Sequence, residues 1–431
     1  MEHNHSVELD SALCTGCTTC VQRCPTEAIR VRDKKAIILK ERCVDCGECI
    51  RVCPNHAKKA VVDSVDVLKK FEYTVALPAP ALYGQFKDLT NRNYVLTALK
   101  RIGFDDVFEV AAAADAVSAA THMELLSGRV LHPIISTACP AVLRIIRVRF
   151  PSLIPHLLDY RSPMEIAARW GRRLAVKKTG LPPEQIGCIF ISPCPAKATS
   201  AKNPLGTTRS TVDAIVSIAD LYPKLALAMK KIDTPENLAC SSAVGVGWSV
   251  SGGEGAAAME PNHLAASGME NVIHILEELE DDQLSNVSLI ELNACVNGCV
   301  GGVLTVKNPF IAKARIATLL RQIGPVLPTD GCPVDDMRWD NRIEYDPVLR
   351  LDTDVAAAMS KLDRIRELQD RFAGMDCGAC GAPSCRALAE DIVQGFATED
   401  QCIFVVREKL QTLLDKKQAG CEDISEGSAD E

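Results

Sequence analysis

The chain has 431 residues, of which 47% are hydrophobic, and its length suggests about three domains at the usual 100–200 residues each. Its formal net charge of −8 and its aromatic content of 4% argue against a nucleic-acid-binding protein. We interpret the short basic cluster of Arg144, Arg147 and Arg149 as a solvated helix face.

The number of cysteines bears on the cellular compartment of the protein and on whether it binds metal. Twenty cysteines could belong to a disulfide-rich secreted protein, but the first ten residues lack the basic and apolar regions of a secretory leader. No run of about 18 apolar residues occurs either, so we expect no membrane span. Clustered cysteines in a reducing cytoplasm usually bind metal, and we therefore expect a cytoplasmic metalloprotein.

The first 60 residues contain the same cysteine pattern twice, Cys-x2-Cys-x2-Cys-x3-Cys-Pro. This is the bacterial ferredoxin pattern for two four-iron clusters, in which the fourth cysteine of each run ligates the cluster of the other run. The predicted ligand sets are Cys14, Cys17, Cys20 and Cys53 for one cluster, and Cys43, Cys46, Cys49 and Cys24 for the other. Zinc remains the alternative, although a zinc site does not require the doubled pattern.

Three apolar runs in the middle of the chain, at 132–136, 186–192 and 287–292, predict buried strands. Each run is followed by cysteine, and these cysteines are Cys139, Cys194, and Cys295 with Cys299. Ligands bind at the carboxyl ends of strands in an open parallel sheet. Thiolates that converge there from distant segments suit an iron-sulfur cluster, so the pattern predicts a metal site inside an α/β domain.

A third cysteine pattern lies near the C-terminus and contains Cys377, Cys380, Cys385 and Cys402. A predicted helix over 354–372 precedes it, and apolar spacing after Cys385 predicts a second helix that carries the chain back to Cys402. The pattern resembles a small four-iron module of electron-transfer proteins, with structural zinc as the alternative. Beyond it we expect a helix through Leu414 and an acidic tail over 422–431.

The central motifs resemble those of iron-only (FeFe) hydrogenases over about residues 73 to 310. Thr-Ala-Cys-Pro, Pro-Cys-Pro-Ala-Lys and Ala-Cys-Val-Asn-Gly-Cys stand where that family has Cys-Cys-Pro, Pro-Cys-x-x-Lys and Ala-Cys-x3-Cys. Further likeness lies in Ser-Gly-Gly-Glu at 251–254.

The resemblance implies an H-cluster, which is a four-iron cluster bridged by a cysteine sulfur to a two-iron unit that carries carbon monoxide, cyanide and a dithiolate. The implied ligands are Cys139, Cys194, Cys295 and Cys299, with Cys299 as the bridge. Lys197 is implied to hydrogen-bond a cyanide. Hydrogen would be split at an open iron site, and the dithiolate amine would take the proton.

Departures from the family pattern concern proton transfer. Ala138 stands where the most active members have a thiol that passes protons, and an alanine side chain can neither accept nor donate a proton. Ser200 replaces a usual glutamate and Asn293 an apolar methionine, and these changes resemble the sensory-type branch of the family. Glu124 lies on a predicted helix with Thr121, and its carboxylate could relay protons toward the cluster. The alternative, which we favour, is that Glu124 is an ordinary exposed glutamate on the surface of that helix.

Four cysteines remain without a predicted cluster. We expect Cys188 and Cys240 to be small buried hydrophobes, Cys332 to lie in a linker around residues 325–350, and Cys421 to lie beside the acidic tail. No glycine-rich nucleotide motif occurs, so flavin, nicotinamide and ATP sites lack support.

The predicted architecture is a ferredoxin-like α+β domain over 1–65, a hydrogenase-like α/β domain over 66–350 and a small helical iron-sulfur module over 351–431. The implied function is reversible H2 oxidation, with electrons passed through 4Fe-4S clusters to ferredoxin or another redox protein. The alternatives are an H2 sensor with a signalling partner, and an electron carrier or cluster scaffold that lacks the two-iron unit. Assembly of an H-cluster further implies hydrogenase maturation proteins as partners.

Overall fold

A computed structural model describes residues 5–324 and 334–426, with the backbone alone for 334–335 and 417–426. These residues form two compact units. The large unit contains residues 5–8, 43–51, 58–324 and 334–346, and the small unit contains residues 9–42, 52–57 and 347–426. The division into three domains remains a prediction.

The strands of the described residues are two to seven residues long. They are β1 Val7–Leu9, β2 Ile29–Arg32, β3 Lys35–Ile38, β4 Lys58–Ala60, β5 Tyr73–Pro78, β6 Asp106–Val107, β7 Ile134–Ile135, β8 Ile186–Ser192, β9 Ala214–Ser217, β10 His263–Ser267 and β11 Leu289–Asn293.

The large unit is an α/β structure with two parallel sheets, in the orders β6-β5-β8-β9 and β10-β11-β7. All seven residues of β8 are buried, as expected for a parallel strand covered on both faces. The three predicted strands are confirmed as β7, β8 and β11, but β8 lies in a different sheet from the other two. The cysteine motifs therefore follow the carboxyl ends of two sheets rather than one.

The helices cover these sheets and build the C-terminal part of the chain. They are α1 Thr19–Gln22, α2 Glu48–Val52, α3 Asn93–Arg101, α4 Val110–Ser127, α5 Pro140–Arg149, α6 Pro163–Thr179, α7 Pro195–Lys202, α8 Ile218–Met229, α9 Ala243–Gly247, α10 Gly253–Ala257, α11 Met269–Glu280, α12 Pro309–Leu320, α13 Val334–Met337, α14 Val355–Arg371, α15 Cys385–Val393 and α16 Ile403–Glu426. Among the described residues, no helix has the length and apolar content needed to cross a bilayer.

A buried carboxylate fixes the start of α4 in the large unit. Glu109 is 1% exposed, accepts a hydrogen bond from the Tyr83 hydroxyl at 2.6 Å, and pairs with Arg92 at 2.9 Å. The backbone N–H groups of Cys240 and Ser241 also donate to it, at 2.6 and 2.9 Å. These contacts satisfy a charge that would otherwise be costly to bury.

We expect Glu109→Ala to lower the free energy of unfolding by about 3–5 kcal/mol, because it leaves the Arg92 guanidinium buried without its carboxylate. Anaerobic urea denaturation measures the change. The exposed-site control Glu270→Ala should stay within about 0.5 kcal/mol. Equal effects of the two substitutions would contradict this role of Glu109.

The small unit confirms the predicted C-terminal helices. The side chain of Asp354 accepts a hydrogen bond from the N–H of Ala357 and so caps α14, which matches the helix predicted over 354–372. The helix predicted after Cys385 is α15. The last helix, α16, runs to Glu426, well past the predicted end at Leu414, so part of the predicted acidic tail is helical. Residues 427–431 lie outside the described residues.

The linker prediction around 325–350 is wrong for the part that the structure describes. Met337 and Ile343 are only 3% and 7% exposed, and Arg161 forms an ion pair with Asp340. Residues 334–346 thus pack as part of the large unit. Cys332 falls within 325–333, outside the described residues.

Candidate metal centre

The cysteines of the three central motifs line one cavity in the large unit. Cys139 and Cys194 each stand immediately before a helix whose first residue is proline, and the fixed φ of Pro140 and Pro195 favours a helix start there. Cys295 and Cys299 lie in the turn that follows β11. The space between the lining atoms, including the mouth, is about 930 Å³.

The chemistry of these thiols fits a cationic cluster. Dense protein surroundings raise the pKa of Cys194 to about 11 and that of Cys299 to about 12, and they also raise the pKa of Cys295. Such thiols keep their protons in the absence of a nearby cation, whereas bound iron stabilises the thiolate forms. Four thiol donors around one cavity therefore fit the iron-sulfur ligand set that the sequence predicted.

The second ferredoxin-type loop forms part of the same cavity wall, which the sequence did not indicate. Cys46 lines the cavity, and Arg51 donates a hydrogen bond from Nη2 to the Gly301 carbonyl at 2.7 Å. Gly47 has φ of +82°, and a Cβ there would lie 2.7 Å from Cγ2 of Val303. Glycine is thus required for the loop to approach the motif that contains Cys299.

Asp45 fixes the second ferredoxin-type loop through hydrogen bonds of its buried carboxylate. It is 1% exposed and accepts hydrogen bonds from the Thr199 hydroxyl at 2.9 Å and from the Ser6 N–H at 3.2 Å. Thr199 lies on α7, the helix that begins after Cys194. The loop with Cys43 and Cys46 is therefore fixed to the helix that follows a cysteine of the central site.

Lys197 lies on α7 at the cavity wall. Its Nζ donates a hydrogen bond to the Ala138 carbonyl at 2.9 Å. An ammonium group has three donors, so it can also donate to a ligand inside the cavity. Ala138 itself lines the cavity with a methyl group only.

Two buried glutamates, Glu254 and Glu291, also line the cavity, and neither was predicted from the sequence as a site residue. Glu254 is 5% and Glu291 is 2% exposed. Burial, with the neighbouring Glu291 charge as the second cause, raises the pKa of Glu254 to about 8, and burial also raises the pKa of Glu291. The pair therefore holds a proton at neutral pH.

The hydrogen bonds show which of the two carries that proton. Glu291 accepts from the N–H groups of Gly252, Glu254 and Gly255 and from the Asn293 amide, at 2.8–3.1 Å. Glu254 accepts from the Ser136 hydroxyl, at 2.6 Å. Because several donors favour the charged form of Glu291, we assign the proton to Glu254. In the sequence, the position of Glu291 within the apolar run Leu-Ile-Glu-Leu could have indicated a buried carboxylate.

The expectation that Glu124 is an exposed helix glutamate is wrong. It is 3% exposed, pairs with Arg129 at 2.8 Å and Arg338 at 3.1 Å, and accepts a hydrogen bond from the Tyr160 hydroxyl at 3.1 Å. Thr121 is fully buried and donates back to a carbonyl of its own helix. Neither residue lines the cysteine cavity, so the structure gives no support to the Glu124 relay.

A smaller cavity lies on the other side of Ala138 and Lys197 and includes Ser200 and Arg144 in its lining. Arg144 donates to the Asn203 carbonyl at 2.8 Å, and burial lowers its pKa. The interpretation of its basic cluster as a solvated helix face is therefore wrong for Arg144.

The structure places the other predicted ligands in both units. Cys14, Cys17, Cys20, Cys24 and Cys53 are in the small unit, and Cys43, Cys46 and Cys49 are in the large unit. The N–H groups of Ala28 and Ala57 donate to the sulfurs of Cys24 and Cys53 at 3.3 and 3.2 Å, as is common around cluster ligands. The two ferredoxin-type ligand sets remain predictions.

The predicted C-terminal ligands come together. Cys377, Cys380, Cys385 and Cys402 line one pocket of the small unit, and Cys402 is 7% exposed. The helices α15 and α16 bring these distant positions to one place, as the sequence analysis expected.

The remaining cysteines have no cluster-like surroundings where they are described. Cys188 is fully buried in β8, and burial raises its pKa to about 12. Cys240 is half-buried against the same core, with a similarly raised pKa. The side chain of Cys421 lies outside the described residues.

Known families match three parts of the chain. Residues 72–261 match the iron only hydrogenase large subunit, C-terminal domain. Residues 6–54 match a 4Fe-4S dicluster domain, and residues 373–404 match a family described as an Fe-S cluster.

Individual relatives are distant. The periplasmic Fe hydrogenase large subunit of Nitratidesulfovibrio vulgaris is 29% identical over 46% of this chain and 52% of its own length. The NADP-reducing hydrogenase subunit HndD of Solidesulfovibrio fructosivorans is 23% identical over 69% of this chain and 56% of its own length. This chain thus spans about half the length of these relatives.

A solved FeFe-hydrogenase from Chlamydomonas reinhardtii superposes with a TM-score of 0.46 at 17% identity, covering 59% of this chain and 86% of that one. That similarity is too low to define the function of this chain.

The cysteine cavity and the family matches define an iron-sulfur protein. More particularly, residues 72–261 are similar to the large subunit of iron-only hydrogenases, and residues 6–54 are similar to a ferredoxin-type 4Fe-4S dicluster domain.

Proposed function

We propose that the chain is an FeFe hydrogenase that catalyses the reversible oxidation of H2 to protons and electrons. The observation that carries this proposal is the convergence of Cys139, Cys194, Cys295 and Cys299 on one cavity that also contains Lys197. Electrons would pass through 4Fe-4S clusters in the ferredoxin-type domain and the C-terminal module to a ferredoxin-type carrier in the cytoplasm.

The cysteines would hold an H-cluster, with Cys299 as the bridge between its four-iron and two-iron parts. When bound, the two-iron unit supplies an open iron coordination site for H2. Lys197 would contribute a positive charge and a hydrogen-bond donor to an anionic ligand of that unit. Such a role explains why an ammonium group faces a cavity lined mainly by apolar side chains.

Glu254 would hold and move the proton. Its neutral carboxyl can donate a proton toward the cavity, and the resulting carboxylate can regain a proton through the Ser136 hydroxyl, which already donates a hydrogen bond to it, while Glu291 keeps its charge through its backbone donors. This route would replace the thiol relay that Ala138 cannot provide.

A second candidate function is H2 sensing at low turnover with transfer of a redox signal to a partner. The alanine at 138 favours it, since its methyl group cannot pass a proton. An electron carrier or cluster scaffold without the two-iron unit is a third candidate. Lys197 argues against it, because a four-iron cluster alone offers no cyanide for this ammonium group.

The direct test is an H2/D2O exchange assay on the anaerobic protein, after reconstitution with iron and sulfide and maturation with the synthetic two-iron cofactor. We expect HD and D2 formation that depends on the two-iron cofactor. Exchange with negligible steady-state turnover would identify a sensor. Absence of exchange in protein that has taken up the cofactor would contradict a hydrogenase.

A further inference from the structure

A buried ionic clamp joins the N-terminal hairpin of the small unit to its C-terminal helices. Asp391 on α15 accepts hydrogen bonds from Nε and Nη2 of Arg30 at 2.6 and 3.1 Å, and from Nη2 of Arg32 at 2.8 Å. Arg30 and Asp391 are only 3% and 7% exposed. One carboxylate thus faces two guanidinium groups of β2, and the clamp carries net positive charge.

A backbone contact next to the clamp allows no side chain. The N–H of Val31 donates to the Gly381 carbonyl at 2.8 Å. Gly381 has φ of +80°, and a Cβ there would lie 2.1 Å from the Val31 carbonyl oxygen. Only glycine allows the Cys380–Gly381 turn to lie this close to β2.

Two further hydrogen bonds connect the cysteine loops themselves. Gln22 donates from Nε2 to the Cys377 carbonyl at 3.0 Å, and Gln22 lies two residues after Cys20 on α1. Arg32 donates from Nη1 to the Cys380 carbonyl at 3.1 Å. The loop that carries Cys377 and Cys380 is therefore bonded directly to the segment that carries Cys20.

We propose that this contact is an electron-transfer junction, at which the cluster of Cys377, Cys380, Cys385 and Cys402 exchanges electrons directly with the cluster of Cys14, Cys17, Cys20 and Cys53. The clamp of Arg30, Arg32 and Asp391 positions the two cluster loops. The proposal rests on the proposed function only in that both sites hold four-iron clusters.

The transfer is balanced without another reactant. One electron leaves the reduced cluster and enters the oxidised one, and no bond or proton changes place. Net positive charge beside both loops favours the reduced form of each cluster, since nearby charge and hydrogen bonds set cluster potentials. The junction makes the C-terminal module the neighbour of the first ferredoxin-type cluster in the electron path.

The test is the EPR spectrum of the full chain, reduced with dithionite after reconstitution. We expect magnetic splitting of the C-terminal cluster signal by its neighbour. Replacing Cys14 and Cys17 by serine should abolish the splitting, whereas replacing Cys43 and Cys46 by serine should leave it. Splitting that survives the first replacement, or a wild-type signal without splitting when iron analysis shows full clusters, would overturn the junction.

A clamp variant tests the role of Asp391 with all clusters retained. Asp391→Asn leaves the buried Arg30 and the partly exposed Arg32 without their carboxylate, and we expect the ratio of docked to undocked module to fall about 100-fold, so that the unsplit signal grows. The matched control is Asp363→Asn, which removes an exposed partner of Arg366 on α14 and should leave the splitting unchanged. A fully split spectrum in Asp391→Asn would overturn the clamp.

The two proposals fail in different ways. Split EPR signals in a protein that shows no H2 exchange would leave the junction standing and contradict the hydrogenase. H2 exchange in a protein whose EPR signals are not split would support the hydrogenase and contradict the junction.

Discussion

We expect Glu254→Gln to lower the rate of the proposed H2 production and oxidation by about 100-fold or more, which is the usual contribution of a positioned acid-base group. Glutamine has nearly the same shape and can still bond the Ser136 hydroxyl, but its amide cannot release a proton at working pH. Steady-state assays with a reduced or oxidised viologen measure the change.

The pH dependence separates proton transfer from a structural role. Because burial raises the pKa of Glu254 to about 8, its carboxyl is protonated at pH 7 and loses its proton as the pH rises through about 8. H2 production by the wild-type protein should therefore fall above pH 8, and the residual rate of Glu254→Gln should lack this inflection. Glu270→Gln, at an exposed helix position, is the control. Wild-type rates in Glu254→Gln would refute the relay.

Cys299→Ala should remove hydrogenase activity below detection, which is the largest effect that we expect from a single substitution. Cys299 is the implied bridge between the two parts of the H-cluster, and no other cysteine among the described residues offers a replacement at that wall of the cavity. Iron analysis should show a loss confined to this site, with the accessory clusters retained.

The matched control for Cys299→Ala is Cys188→Ala. Cys188 is also a buried thiol of the large unit, but it lies in the middle of β8 and donates to the Ala168 carbonyl. We expect this substitution to leave the iron content and the activity unchanged. Retained H2 chemistry in Cys299→Ala would show that this thiol holds no part of the reactive site.

Local patterns predicted much of the fold and the cysteine positions. The runs that precede Cys139, Cys194 and Cys295 are mainly apolar, which is typical of a parallel strand that is buried on both faces. The end of α16 was placed too early, since polar residues after Leu414 continue a helix without interrupting it.

The pair of buried glutamates was not predicted, because its two members are distant in sequence. Glu254 at the start of α10 and Glu291 in β11 are brought together by the fold, which buries both carboxyl groups and so raises the pKa of each, and the charge of Glu291 raises the pKa of Glu254 further. Glu124 shows the opposite error, because its arginine partners Arg129 and Arg338 come from outside its helix. Spacing within one element cannot indicate such partners.

The sequence likewise could not place the second ferredoxin-type loop. Arg51 and Gly47 read as ordinary residues of a cysteine repeat, yet they contact the turn that follows Cys299. Contacts of this kind are set by tertiary packing, for which a single chain carries no periodic signal.

The central claim is that the cysteine cavity holds an H-cluster. The most direct measurement is the infrared spectrum of the anaerobic protein, matured with the two-iron cofactor, in the cyanide and carbonyl stretching regions. We predict bands in both regions that shift under H2 and are absent in Cys299→Ala. A blank spectrum from wild-type protein with full accessory clusters would contradict the hydrogenase and leave an electron carrier or scaffold.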